Sequence, residues 1–250
     1  MDADMSLAAG IRLVLFFLGV SPWRLLMAVL SFRGLLSLAT ASVFLGMVVA
    51  GFAGPNARAA GPVADKDGWL DLFDGKSLDD WKPSEDPKAF KVEGGLIVAG
   101  PSKLTHLYYQ GPIHKANFKD FELKAEVMTK PKGNSGIFFH TEHQPKGIPA
   151  KGFEFQINNT GSDKRYRTGA IYPTKPLDKV LVKDDEWFEC HLTVRGGHVT
   201  LKVNGETTHD VDLPVNAKSG LFLSSGTFAI QSHDPGSVVL FRRIRVKPLE

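Results

Sequence analysis

The chain has 250 residues, 43% of them hydrophobic, which is enough for one large domain or two small ones with a sizeable core. Its 30 Lys and Arg against 27 Asp and Glu give a formal charge of +3, and no basic stripe with interleaved aromatics runs through it, which argues against nucleic acid as a partner. The single cysteine, Cys190, excludes an intrachain disulfide.

Residues 1–59 differ in composition from the rest, with apolar runs at 11–20 and 35–53 separated by Pro22, Arg24 and Arg33. Arg33, the apolar stretch after it and the A-x-A pattern Ala57-Arg58-Ala59 predict a secretory signal, leaving 60–250 as the mature domain. Met27, just upstream, is a candidate true start. The domain is then exported to the periplasm or beyond, and Ala60 at the cleavage point excludes a lipid-modified cysteine. The alternative is an uncleaved pair of membrane helices, since run 35–53 is about long enough to span a bilayer; membrane contact would come only through this segment.

From Asp67 on, short apolar or alternating runs are punctuated by Gly, Asn, Asp and Pro at intervals of roughly 8 to 12 residues, and no long stretch carries helical periodicity. Run 69–73 ends at the turn signal Asp74-Gly75, and 90–92 with 96–98 flank Gly94-Gly95 as a hairpin. After the short run 104–109, segment 118–128 alternates. Phe121, Leu123, Ala125 and Val127 fall on one face and Glu122, Lys124 and Glu126 on a solvated one.

Two further runs, GNSGIFFH at 133–140 and GFEFQINN at 152–159, come next. In an extended strand Phe153, Phe155 and Ile157 share one face, while Glu154, Gln156 and Asn158 share the other. An acid and two amides are poor core material, because buried polar groups are costly unless paired; the same row suits a sugar.

Asp184-Asp185-Glu186 reads as a turn, and Cys190, in the strand-like run 187–194, as a buried inert thiol. HVTLKV-NG-ETTHDV at 198–211 is a hairpin turned at Asn204-Gly205, with Val199, Leu201 and Val203 inward and His198 and His209 exposed. The last strands are expected at 219–223, 228–233 and 238–246. In the last, the alternation falters at Arg242, Arg243 and Arg245, which predicts a bulge and a charge-guarded edge. The whole reads as an all-β, two-sheet antiparallel sandwich or barrel, which a jelly roll satisfies.

LFDGKSLDDW, FELKAEV, GNSGIFFH, GFEFQI, TGAIY, DEWFECHLTV, LKVNGE, AIQSH and VLFRRIRV are spread through 69–249, and their order and spacing resemble the 3-keto-disaccharide hydrolase family. The resemblance implies a concanavalin-like, laminarinase-like jelly roll that hydrolyses glycosides whose sugar is oxidised to a ketone at carbon 3. The ketone acidifies the proton on carbon 2, a base removes it, the enolate expels the group at carbon 1, and water adds. The chain makes two departures from the family pattern: His140 stands where Arg is usual, and Asn158 and Asn159 stand where an Asp commonly follows.

Laminarinase-type enzymes carry E-x-D-x-x-E on one strand; here the equivalent run is Glu154, Gln156 and Asn159, so one carboxylate remains. Glu154 is the candidate base, with a pKa raised by partial burial near Phe138 and Tyr172. His140 and His233 are the candidate groups to polarise the ketone or protonate the leaving oxygen. Asn134, Gln156, Asn158 and Gln231 are candidate hydrogen-bonding partners of sugar hydroxyls, and Tyr172 offers a stacking face. No cofactor is expected. No metal is expected either, since His140 and His143 are not brought together by strand or loop spacing and no carboxylate-rich calcium loop occurs. A carbohydrate is thus the expected partner. The competing readings are a non-catalytic carbohydrate-binding module and a cell-envelope interaction protein held by the N-terminal runs.

Overall fold

A computed structural model describes residues 62–218 and 221–249, so the signal, start-site and anchor expectations for 1–59 lie outside the described residues. The first strands in chain order are β1 (Leu70–Asp71), β2 (Trp81–Pro83), β3 (Phe90–Glu93), β4 (Leu96–Ala99) and β5 (Thr105–Tyr109). Next come β6 (Phe121–Thr129), β7 (Asn134–Thr141), β8 (Phe153–Asn158) and β9 (Ile171–Tyr172). The chain closes with β10 (Phe188–Arg195), β11 (His198–Val203), β12 (Glu206–Asp212), β13 (Thr227–Ser232) and β14 (Val239–Pro248). Two short 3-10 turns, Pro87–Ala89 and Ile113–Ala116, are the only helical elements among the described residues, where no helix is long and apolar enough to cross a membrane.

The strands form two antiparallel sheets. One has the order β12-β11-β10-β6-β14-β4-β3 with β1 added on β14; the other runs β2-β5-β13-β7-β8-β9. Alternation drives their packing. Phe153, Phe155 and Ile157 of β8, with Leu107, Ile137 and Phe139, meet Phe121, Leu123, Val127, Leu192 and Phe241 of the facing sheet in one core. Each such side chain contributes about 1.5–3 kcal/mol on leaving water. The larger sheet keeps a solvated outer face: β6 alternates between buried and part-exposed residues, as its pattern predicts. The smaller sheet does not. All six positions of β8 are buried although half of them are polar, because segments 142–151 and 159–170 fold over its outer face.

The hairpin of β11 and β12 turns as expected, with φ of 48° at Asn204 and 82° at Gly205. His198 is exposed between Asp210 and Asp212, but His209 is half-buried. The register shifts between Leu201 and Lys202, pairing His209 with Leu201 and turning it toward that residue's face. Cys190 is buried, and burial raises its thiol pKa far above the ordinary value.

Two expectations are corrected. The arginine-bearing strand β14 is no edge; it lies between β6 and β4, and its bulge falls between Arg242 and Arg245. There Arg242 stacks on Trp187 at 3.9 Å and donates to Glu126 at 2.6 Å, while Arg243 donates to the other Glu126 oxygen at 2.8 Å. The charges therefore satisfy one carboxylate instead of guarding an edge. Residues 221–223 do not extend a strand either, and Leu223 makes only an isolated bridge to Val215.

Candidate active site

β8, which lies beside the edge strand β9 of the smaller sheet, carries Glu154, paired across to Phe138 on β7 and Tyr172 on β9. Alternation sends its carboxyl to the outer face, away from the core formed by Phe153 and Phe155. It can lie flat there because its diagonal neighbour on β7, the partner of Gln156, is Gly136. A Cβ at 136 would overlap the Glu154 carboxyl, so glycine is the one residue that leaves the space. Glu154 is 3% exposed, and its Oε1 has no hydrogen-bond partner among the described residues. Burial without a compensating partner pushes its pKa well above the usual carboxylate value.

The carboxyl borders a cavity of about 190 Å³ that also takes in Asn134, Gln156, Tyr172, Gln231 and His233. Gln156 Nε2 donates to Asn134 Oδ1 at 2.7 Å, which fixes the two amides relative to each other. His233 Nδ1 lies 2.8 Å from Asp234 Oδ2, and Ser237 Oγ donates to the same oxygen while accepting from the Asn134 backbone N–H at 3.0 Å. That bond uses one ring nitrogen and leaves Nε2 as the other polar atom of His233. Gln231 Oε1 is a second buried acceptor with no partner among the described residues.

Two candidate residues are not brought to this cavity. His140 has a φ of 55°, which breaks the alternation at the end of β7. Its ring turns onto Phe121 at 5.6 Å, and its Nε2 bonds the Lys119 carbonyl at 2.8 Å. Burial holds it below the usual histidine pKa. Asn158 is fully buried and spent on local structure. Its Nδ2 donates to the carbonyls of Asp163 (2.8 Å) and Tyr166 (3.0 Å), and its Oδ1 accepts from the Gly161 N–H (2.8 Å) and the Arg167 guanidinium (3.2 Å). Asn159 is likewise used, donating to Thr129 Oγ1 at 2.7 Å. Both asparagines shape the 159–170 segment in place of touching a ligand.

That segment and the 142–151 segment supply what strand reasoning missed: Ser162, Asp163, Tyr166 and Ile148 line the cavity. No periodicity marks such loop residues. Asp163 is a second carboxylate there, engaged by the Arg165 N–H at 3.0 Å and the Arg165 side chain at 3.6 Å. His106 was also missed, though a signal existed, because alternation in THLYY puts it opposite core residues Leu107 and Tyr109. It is fully buried on β5, with Gln231 Nε2 at 3.4 Å from its Nε2 and the Phe138 ring edge-on at 5.1 Å. Burial, helped by nearby His233, lowers its pKa to about 4.

A larger hollow of about 620 Å³ lies between Asp71, Asp79, Asp80 and Trp81. Its Asp74 accepts from the Lys76 and Ser77 backbone N–H groups, a turn arrangement, and it holds no buried group comparable to Glu154. Among the described residues no three His, Cys, Asp or Glu side chains converge. The site therefore offers one buried unpaired carboxyl, a row of amides, an imidazole and a tyrosine face. That set can take a proton from an uncharged ring while holding its hydroxyls.

Residues 68–247 match the 3-keto-alpha-glucoside-1,2-lyase-like domain family. A 3-keto-disaccharide hydrolase of Bacteroides thetaiotaomicron is 24% identical over 234 residues, 74% of this chain and 80% of the relative. A crystal structure of a candidate glycosyl hydrolase from Parabacteroides distasonis superposes with a TM-score of 0.63 at 22% identity, over 76% of this chain and all of that one. The β-glucanase of Bacillus licheniformis superposes at 0.50 with 10% identity, over 77% and 100% of the two chains, a likeness of fold alone. These likenesses agree with the all-β concanavalin-like architecture expected from the strand pattern.

Proposed function

The chain belongs to the 3-keto-alpha-glucoside-1,2-lyase-like domain family, and from that membership and the buried carboxyl of Glu154 we infer that it is an exported enzyme cleaving 3-keto-glycosides. The observation that carries this is Glu154 itself, 3% exposed, unpartnered at Oε1 and raised in pKa at the wall of a polar cavity. A carboxyl whose pKa burial has raised is a stronger proton acceptor, once ionised, than an ordinary carboxylate. In the reaction, its carboxylate takes the proton from carbon 2, and the C–H electrons pass into the enolate of the carbon 3 ketone. The enolate re-forms the ketone and breaks the bond from carbon 1 to the leaving oxygen, which takes a proton; water then adds across the carbon 1–carbon 2 double bond. His233, on the wall of the polar cavity, polarises the carbon 3 ketone, Asn134, Gln156 and Gln231 hold sugar hydroxyls, and the proton that Glu154 has taken passes to the leaving oxygen. Export is part of this proposal and rests on residues 1–59 alone.

The test is to incubate the purified protein with a 3-keto-disaccharide and with its unoxidised parent and to measure released sugar. Cleavage of the oxidised compound alone is expected. Equal cleavage of both would mark an ordinary glycosidase, and binding of unoxidised glucans with no cleavage of either would mark a carbohydrate-binding module. A second expectation follows from Gly136. Gly136→Ala pushes the carboxyl aside without touching the core face, so kcat/KM should fall on the order of a hundredfold while the thermal midpoint moves little. Unchanged kcat/KM would show that the position of Glu154 is immaterial.

A further inference from the structure

A second cavity, of about 230 Å³, adjoins the first, and both are bounded by Glu154, Tyr172 and Ile148. The two differ in chemistry. The first is walled by amides, Asp163 and His233, whereas the second is walled by Phe138, Ile148, Pro149, Pro173 and Leu221, with Glu154 the one carboxyl there among the described residues. We propose that the second cavity receives the leaving group, and that this group is an apolar ring such as an aryl aglycone and not a second sugar. The inference rests on the reaction proposed above.

A base that acts at carbon 2 has the bond to the leaving group one carbon away, so sugar and leaving group fall on either side of it. The amide-rich cavity can satisfy several hydroxyls, whereas the apolar one offers only Glu154 and Tyr172 among its described lining side chains. A glucosyl unit there would leave most of its hydroxyls without partners, at a desolvation cost that a flat apolar ring does not incur. The apolar wall is also held in shape. Gln144 Nε2 donates to the carbonyls of Lys146 (2.8 Å) and Ile148 (2.7 Å), and Gln144 Oε1 accepts from the Ala150 N–H at 3.0 Å, which ties the segment bearing Ile148 into one turn. Ile148 is nonetheless 55% exposed, a large apolar side chain kept in water while lining both cavities. An apolar ligand would cover it.

The experiment compares kcat/KM of the full chain for phenyl 3-keto-glucosides of both anomeric configurations with that for a 3-keto-disaccharide. It then repeats the comparison for Ile148→Ser and Leu221→Ser. The wild type should prefer one aryl substrate by about tenfold or more, and each variant should reduce that preference by about tenfold, chiefly through KM. An equal or reversed preference in the wild type, with the disaccharide still cleaved, overturns this inference and leaves the reaction standing. So does a proportional loss on both substrates in both variants. Cleavage of no 3-keto substrate overturns the reaction and this inference with it.

Discussion

Glu154→Gln is expected to yield a folded protein whose turnover of a 3-keto-glycoside falls by about 10²–10⁴-fold, the range lost when a positioned general base is removed. Glutamine has the same shape and fits over Gly136, but its amide oxygen cannot hold the carbon 2 proton. The pH profiles should carry two opposite signs from one group. In the wild type, burial raises the Glu154 pKa well above 4.5, so the neutral carboxyl is the form the fold prefers. Its stabilising contribution is complete below the unfolded value and is lost as pH rises through the raised folded value. Activity needs the ionised form and should rise through that same raised value. Denaturant midpoints and kcat/KM over a pH series read both. The glutamine variant should lack the stability loss on the alkaline side, and a variant with full turnover would remove Glu154 from the chemistry.

His106 should give the molecule a distinct acid sensitivity. It is fully buried and held neutral, with a pKa of about 4 against the ordinary 6.5. A depressed histidine contributes stability that is present above the unfolded value and lost as pH falls toward the folded one, so the window runs from 6.5 down to about 4. At roughly 1.4 kcal/mol per pH unit the loss is about 3 kcal/mol. Burial, with nearby His233, sets the preference, and the contact with Gln231 Nε2 suits it, since a neutral Nε2 accepts from that amide and a protonated one cannot. In urea titrations at pH 7 and pH 4, His106→Gln should lose about 3 kcal/mol less than the wild type between the two pH values. An equal loss would mean that His106 protonates freely in the fold.

The two candidates that the cavity does not receive, His140 and Asn158, are lost for different physical reasons. His140 and Asn158 both sit where strict alternation would put them on the outer face. Alternation holds only while φ stays extended, and the left-handed φ at His140 ends it. Asn158 keeps its direction but meets the returning 159–170 segment, whose backbone N–H and C=O groups need partners once buried. A strand pattern cannot say which polar side chain will serve a ligand and which will serve the chain itself. The same blindness applied to β14, where three arginines suggested an edge. The ladder order that buries the strand between β6 and β4 comes from pairings distant in sequence.

Local rules were sufficient for the all-β character, the Asn204-Gly205 hairpin, the inward face of β8 and the outward face bearing Glu154 and Gln156. Each depends only on a period of two or on the φ tolerance of a few turn residues. Only the assembled sheets decided that Glu154 would lie over Gly136 without a partner, that Gln231 would meet His106, and that two loops would divide the outer face into a polar and an apolar cavity. Those outcomes depend on cross-strand register and loop closure, which join residues far apart in the chain, and no window of sequence contains them.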